Sequence, residues 1–291
     1  MKRIFLAIGF TVLTFSCHRS MESGEKPVIS VSILPQRYFV EQLAGDLVEV
    51  NVMIPPGASP ATYEPTVSQL RKLELSETYL RIGHVGFELS WMDKISSVNP
   101  GMKIVDLSRG IDLIIEMEDE EEGHHGHSHG GVDPHIWLSV QNAKIIARNL
   151  HEELELMFPD HREELSLRLE KFSAALDSLD QVLTDQLEDL DNRNFMIYHP
   201  ALTYFSRDYH LHQYPLEIEG KSPSPAHLKR MTDLGINQKI KRILIQDQFD
   251  RKNAEVLARE IGAEIIAFDP LDPNWMEQML YIAEQFTSSS P

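Results

Sequence analysis

Between Asp160 and Leu190 apolar side chains fall at Leu165, Leu169, Phe172, Leu176, Leu179, Leu183, Leu187 and Leu190, in steps of three and four with no Gly or Pro between. That spacing lays one apolar stripe along a single helix. Pro159-Asp160 followed by Glu163 offers an N-cap and capping box, and Asp191-Asn192 a stop. At 1.5 Å per residue the helix runs ~45 Å, longer than one small lobe. It can serve as a coiled-coil arm for a partner or as a strut between two lobes. Its place between two strand-and-helix series favours the strut, which resists large hinge closure.

On either side, short β-branched runs alternate with helix-period runs. Strands are expected at Val28–Leu34, Val48–Ile54, Tyr79–Gly83, Lys103–Leu107, Phe195–Tyr198, Tyr214–Ile218, Arg242–Gln246 and Glu264–Phe268. Helices are expected at Tyr38–Ala44, Val67–Leu75, Glu88–Ser96, Gln141–Met157, Pro225–Leu234, Asn253–Ile261 and Asn274–Phe286. Alternation of this kind predicts an α/β fold: two lobes of mostly parallel sheet flanked by helices, joined by one long rigid helix. The expected boundaries are 28–158 for the first lobe, 159–191 for the connecting helix and 192–291 for the second lobe.

A net charge of -18 argues against a nucleic-acid partner, whose phosphates need a basic surface, and suits a protein that meets cations. Lys2 and Arg3 precede an apolar run, Ile4 to Phe15, too short to span a bilayer but shaped like a secretory signal. The run ends at Ser16-Cys17, and Cys17 is the chain's one cysteine, so no internal disulfide is possible. A lone cysteine there resembles a bacterial lipobox, in which the cysteine is lipidated after cleavage; Thr14 stands where an aliphatic residue is usual. Residues 1–17 are thus expected to be a signal with lipobox and 18–27 a polar tether, anchoring an extracytoplasmic monomer to a membrane.

Candidate metal ligands gather at the ends of expected strands. His199 follows one strand in "FMIYHPALTYF", and Asp269 follows the last in "EIIAFDPL". Both precede proline, which restricts their backbone and aims the side chain. His135 sits on a stiff turn in Asp-Pro-His-Ile-Trp. Open α/β sheets bind ligands outside the carboxyl ends of their strands, and imidazole plus carboxylate suits zinc and is usable for manganese. Taken singly, each residue also fits a structural role.

The chain resembles the metal-binding solute-binding proteins of zinc and manganese ABC importers, from about Val28 to the last helix. The resemblance is carried by "PPGASPATYEPT" (55–66), "GFELSW" (86–91), "DPHIWLS" (133–139), "YHPALTYFSRDYHL" (198–211), "GKSPSPAHL" (220–228) and "FDPLDPNW" (268–275), in that order. It implies two α/β lobes joined by a long helix, metal in the cleft between them, and no catalysis. It also implies a permease as partner. His135 and His199 match the family's second and third metal histidines, and Asp269 a fourth ligand; a histidine at the third position resembles zinc-type members. At the first position the family's histidine is replaced by Ala61, whose methyl group cannot coordinate. His84 is the leading substitute, with Glu64 and Glu88 behind it. Water or a loop histidine could instead complete a three-ligand site, or tight binding could have been lost.

Residues 116–131 hold an acidic run followed by His124, His125, His127 and His129 among Gly and Ser. With no apolar residue after Met117 the segment cannot bury a core. It reads as a weak collector of zinc, as the resemblance also implies; the plainer reading is a solvated acidic insertion. Two other functional classes stay open: a metal-buffering surface protein or adhesin, and a zinc hydrolase, although no His-Glu-x-x-His is present.

Overall fold

The computed structural model describes residues 26–115, 131–218 and 220–287. The expected signal, Cys17 and histidines 124, 125, 127 and 129 lie outside the described residues. The chain runs β1 (Val28–Val31), α1 (Leu34–Ala44), β2 (Glu49–Val52), α2 (Val67–Leu73), β3 (Ser76–Arg81), α3 (Gly86–Val98), β4 (Lys103–Asp106) and α4 (Val140–Met157). After α5 (Arg162–Glu188) come β5 (Asn194–Ile197), α6 (Thr203–Asp208), β6 (His212–Pro215), α7 (Pro225–Asn237), β7 (Arg242–Gln246), α8 (Lys252–Ile261), β8 (Glu264–Phe268) and α9 (Trp275–Thr287).

The strands form two parallel four-stranded sheets of the same topology, β2-β1-β3-β4 and β6-β5-β7-β8. In the first, Val31 pairs with both Val52 and Leu80. Each sheet therefore has a point where the strand order reverses, between β1 and β3 and between β5 and β7. The carboxyl ends of the strands leave a crevice there.

The long helix is α5, 27 residues and about 40 Å. Of its apolar stripe, Leu165, Phe172, Leu176, Leu179, Leu183 and Leu187 are buried. They pack under α1, α4 and α9, so one continuous core runs through both lobes. A second cluster, around Met196, Ile243 and Leu257, fills the far side of the second sheet.

Three local expectations are corrected. The capping box at Asp160 and Glu163 does not form: a short 3-10 turn, Pro159–His161, precedes α5, whose first turn has no side-chain cap. Glu164 instead receives the His161 ring (3.2 Å) and the Arg168 guanidinium (2.8 Å). Helix α1 begins at Leu34 rather than Tyr38, because Pro35 fits the first helical turn, where its missing N–H costs nothing. Strand β6 pairs two residues earlier than expected, from Asn194↔His212 to Ile197↔Pro215, and beyond it the Leu216 and Glu217 N–H groups still donate to the Ile197 and Tyr198 carbonyls (2.8 and 3.0 Å).

Phe172 tests the shared core, since its ring meets Tyr38 and Phe39 at centroid distances of 6.1 and 6.0 Å. Phe172→Ala should lower stability by about 3–5 kcal/mol, measured by urea denaturation as a fall in midpoint at unchanged slope.

Candidate metal centre

His199 emerges directly after β5, at the point where the second sheet's order reverses. Its backbone is held on both sides by Gln246, at the end of β7. The Gln246 amide donates to the His199 carbonyl (2.8 Å) and accepts from the His199 N–H (3.4 Å). The ring stacks on Phe249 at 5.6 Å, and its Nδ1 donates to Glu217 Oε1 at 2.5 Å.

His135 caps a 3-10 turn, Ile136–Leu138, whose three residues are buried. Asp133 Oδ1 accepts both the His135 backbone N–H (2.8 Å) and its ring Nδ1 (3.0 Å). Burial alone would raise the Asp133 carboxyl, but the His135 ring and the Thr203 hydroxyl beside it hold it below the usual carboxylate range.

A carboxylate only accepts hydrogen bonds, so each ring donates through Nδ1, and in the neutral ring that leaves the Nε2 lone pair facing outward. The two Nε2 atoms, one from each lobe, face each other at 3.3 Å. Two lone pairs at that distance repel unless a proton or a cation lies between them. Two nitrogens on one tetrahedral zinc at 2.0–2.1 Å stand ~3.3 Å apart. A ligand histidine whose other nitrogen donates to a carboxylate is also the usual outer support of a zinc site.

The facing imidazoles line a cavity of about 240 Å³. Its walls come from the strand ends of both lobes: Ser59 to Thr62, Val85, Gly86, Trp137, Glu217, Gln248, Phe249, Pro270 and Leu271 among them. Ala61 lies on this wall with its backbone against α3, where a Cβ on Gly86 would meet the Ala61 Cα and O at 3.1 Å.

The other expected ligands do not join the pair, and among the described residues no three of His, Cys, Asp or Glu are grouped to hold a metal ion. His84 follows β3 in the left-handed region (φ 62°) and does not line the cavity, although Val85 and Gly86 do. Asp269 abuts the wall residues Pro270 and Leu271, and its Oδ1 accepts the Leu271 N–H at 2.9 Å. Burial, and then the charges of Asp272 and Asp247, push its carboxyl up despite that hydrogen bond. Glu64 is exposed.

Glu88 is fully buried and already occupied. Oε1 takes the Ser32 hydroxyl and the Ile82 N–H (2.8 Å), and Oε2 takes the Gly83 N–H (2.8 Å), with Arg81 at 3.5 Å. It closes the end of β3 rather than reaching for a cation. Sequence reasoning did not single out Glu217 or the supporting role of Asp133. Glu217 was hidden because the expected β6 ran through it; with β6 ending at Pro215, Glu217 sits just past a strand end, as His199 does.

The family described as zinc-uptake complex component A, periplasmic, matches residues 29–288. The zinc-binding lipoprotein AdcA of Streptococcus pneumoniae (strain ATCC BAA-255 / R6) is 27% identical over 283 residues, covering 94% of this chain; the chain spans only 56% of that relative. The high-affinity zinc uptake system protein ZnuA of Bacillus subtilis (strain 168) is 26% identical over 283 residues, 92% of this chain and 88% of the relative. A crystal structure of ZnuA superposes with a TM-score of 0.83 at 38% identity, covering 90% of this chain and 98% of that one.

Burial raises the Glu88 carboxyl, against the bonds from Ser32, Ile82, Gly83 and the charge of Arg81. A raised carboxyl favours folding at low pH, and that contribution fades as the pH climbs through the folded-state value. Glu88→Gln sets an amide N–H₂ against a backbone N–H. It should cost about 1–3 kcal/mol, and chemical denaturation should show the gap from wild type widening on acidification.

Proposed function

The chain belongs to the family of periplasmic zinc-uptake components, and on that premise we propose that it is the extracytoplasmic receptor of an ABC importer. It captures Zn²⁺ between its lobes and hands the ion to a permease without chemical conversion. The observation that carries this reading is the His135–His199 pair: two Nε2 atoms from different lobes, 3.3 Å apart, on rings each backed by a carboxylate at Nδ1. The names of the zinc-binding relatives support zinc as the cargo; manganese is compatible with imidazole and carboxylate donors but favours more oxygen.

In this reading His135 and His199 are the fixed donors, while Asp133 and Glu217 orient them and balance the charge of a divalent ion. His84 and Asp269 flank the cavity. Residues 1–17 act as an export signal ending at Cys17, which carries the lipid anchor, and 18–27 form the tether. The lobes are 28–158 and 192–291, with 159–191 as the strut between them. His124, His125, His127 and His129 collect zinc weakly next to the site. The strut and the shared core support delivery through small movements of the cavity walls rather than wide hinge opening.

Titrating metal-free protein with Zn²⁺ by calorimetry should reveal one tight site that survives deletion of residues 116–131 and disappears in His135→Ala and in His199→Ala. Deletion of 116–131 removing nearly all binding would instead make the protein a metal buffer. Glu217→Gln should weaken zinc binding by roughly 10–100-fold while leaving the fold intact, read by the same titration alongside a thermal melt.

A further inference from the structure

Helix α6 begins at Thr203, shortly after His199, and the chain between them is pinned. The Ala201 N–H donates to the His199 carbonyl (2.7 Å), and the Gln213 side chain accepts the Leu202 N–H (2.9 Å). The helix therefore moves with His199. Its far end is fastened to the other lobe. There the Asp208 carboxylate accepts the Ser139 hydroxyl through Oδ2 and the Arg207 guanidinium through Oδ1 (2.9 Å). Arg207 in turn donates to the Asp112 carbonyl at 3.2 Å.

Ser139 is fully buried and stands where the turn after His135 becomes α4. Its Oγ accepts the Asn142 N–H at 3.0 Å as the N-cap of α4, which leaves its proton for Asp208. Asn142 reaches back to the same turn and donates to the Ile136 carbonyl at 3.1 Å. One hydroxyl thus joins the His135 turn to the helix that grows out of His199. The Asp208 side chain is only 7% exposed, and a buried carboxylate that loses a partner is costly, so the contact is held from both sides. Neither Ser139 nor Asp208 lines the cavity.

We infer that Asp208 is a positioning residue for the metal pair: by holding Ser139 it keeps the two Nε2 atoms at their 3.3 Å spacing without touching the ion. Affinity depends on both rings standing at the productive distance before the ion arrives, because ordering them on binding subtracts from it. The inference rests on the zinc-receptor reading and adds to it a residue outside the cavity.

The test is a double-mutant cycle on the full chain with Zn²⁺ alone as the probe, read by competition against a chromophoric chelator and by a thermal melt of the metal-free protein. Asp208→Ala should weaken zinc binding roughly tenfold, and Ser139→Ala should do the same. The double variant should be no weaker than either, because both changes remove one bond. Ser139→Thr, which keeps the hydroxyl, should bind as wild type does. Ser139→Asp keeps an oxygen to cap α4 but has no proton for Asp208, so it should lose affinity as Ser139→Ala does; it carries the test if Asp208→Ala fails to fold. A lowered melt with unchanged zinc affinity in Asp208→Ala would make the contact merely structural and overturn the inference. Additive losses in the cycle, or wild-type affinity in Ser139→Asp, would overturn it too and leave the receptor reading standing. Absence of tight zinc binding in the wild-type chain would remove both.

Discussion

Two tryptophans tie the lobes together, and the site depends on that tie. The Trp137 indole donates to the Pro270 carbonyl at 2.7 Å, and the Trp275 indole donates to the Trp137 carbonyl at 2.7 Å. Both side chains are fully buried, and Trp275 also packs edge-on against Phe39 of the first lobe. The bonds fix the turn that carries His135 against the turn after β8. A third contact, Tyr204 OH donating to the Asp133 carbonyl at 3.0 Å, binds the same turn to α6, just beyond His199. Histidines 64 residues apart are thus brought together by contacts between distant segments of the chain.

The electrostatics follow from that arrangement. An imidazole ligates only through an unprotonated nitrogen, and a ring free to exchange tautomers would present the wrong one part of the time. Asp133 and Glu217 remove this freedom by accepting from Nδ1. They also place two negative charges behind a pair of lone pairs, a local expression of the charge of -18 carried by the whole chain. Both carboxylates are buried, so this charge is concentrated beside the paired rings.

The fold was readable because its signals are local. Eight strands and the long helix were visible from hydrophobic period alone, since parallel sheets covered on both faces and an amphipathic strut write their burial directly into consecutive residues. Errors fell where local chemistry offered equivalent choices. Asp160 was an acceptable cap that the chain does not use, because Pro159 starts a 3-10 turn first. The two-residue slip at β6 concealed Glu217, since an apolar run through Leu216 and Ile218 does not record where pairing stops.

For the site, the sequence by itself determined that His135 and His199 stand on stiff, proline-flanked turns, the latter just past a strand, and that Ala61 brings no donor. Only the tertiary structure decided that these two rings face each other across the lobes, that Glu88 is spent on the end of β3, and that His84 and Asp269 stay off the cavity wall. The physical reason is the range of the interactions. Helical and strand periods arise between residues a few positions apart, whereas a ligand set depends on side-chain directions fixed by contacts between distant segments, such as Trp137 with Trp275 and His199 with Glu217.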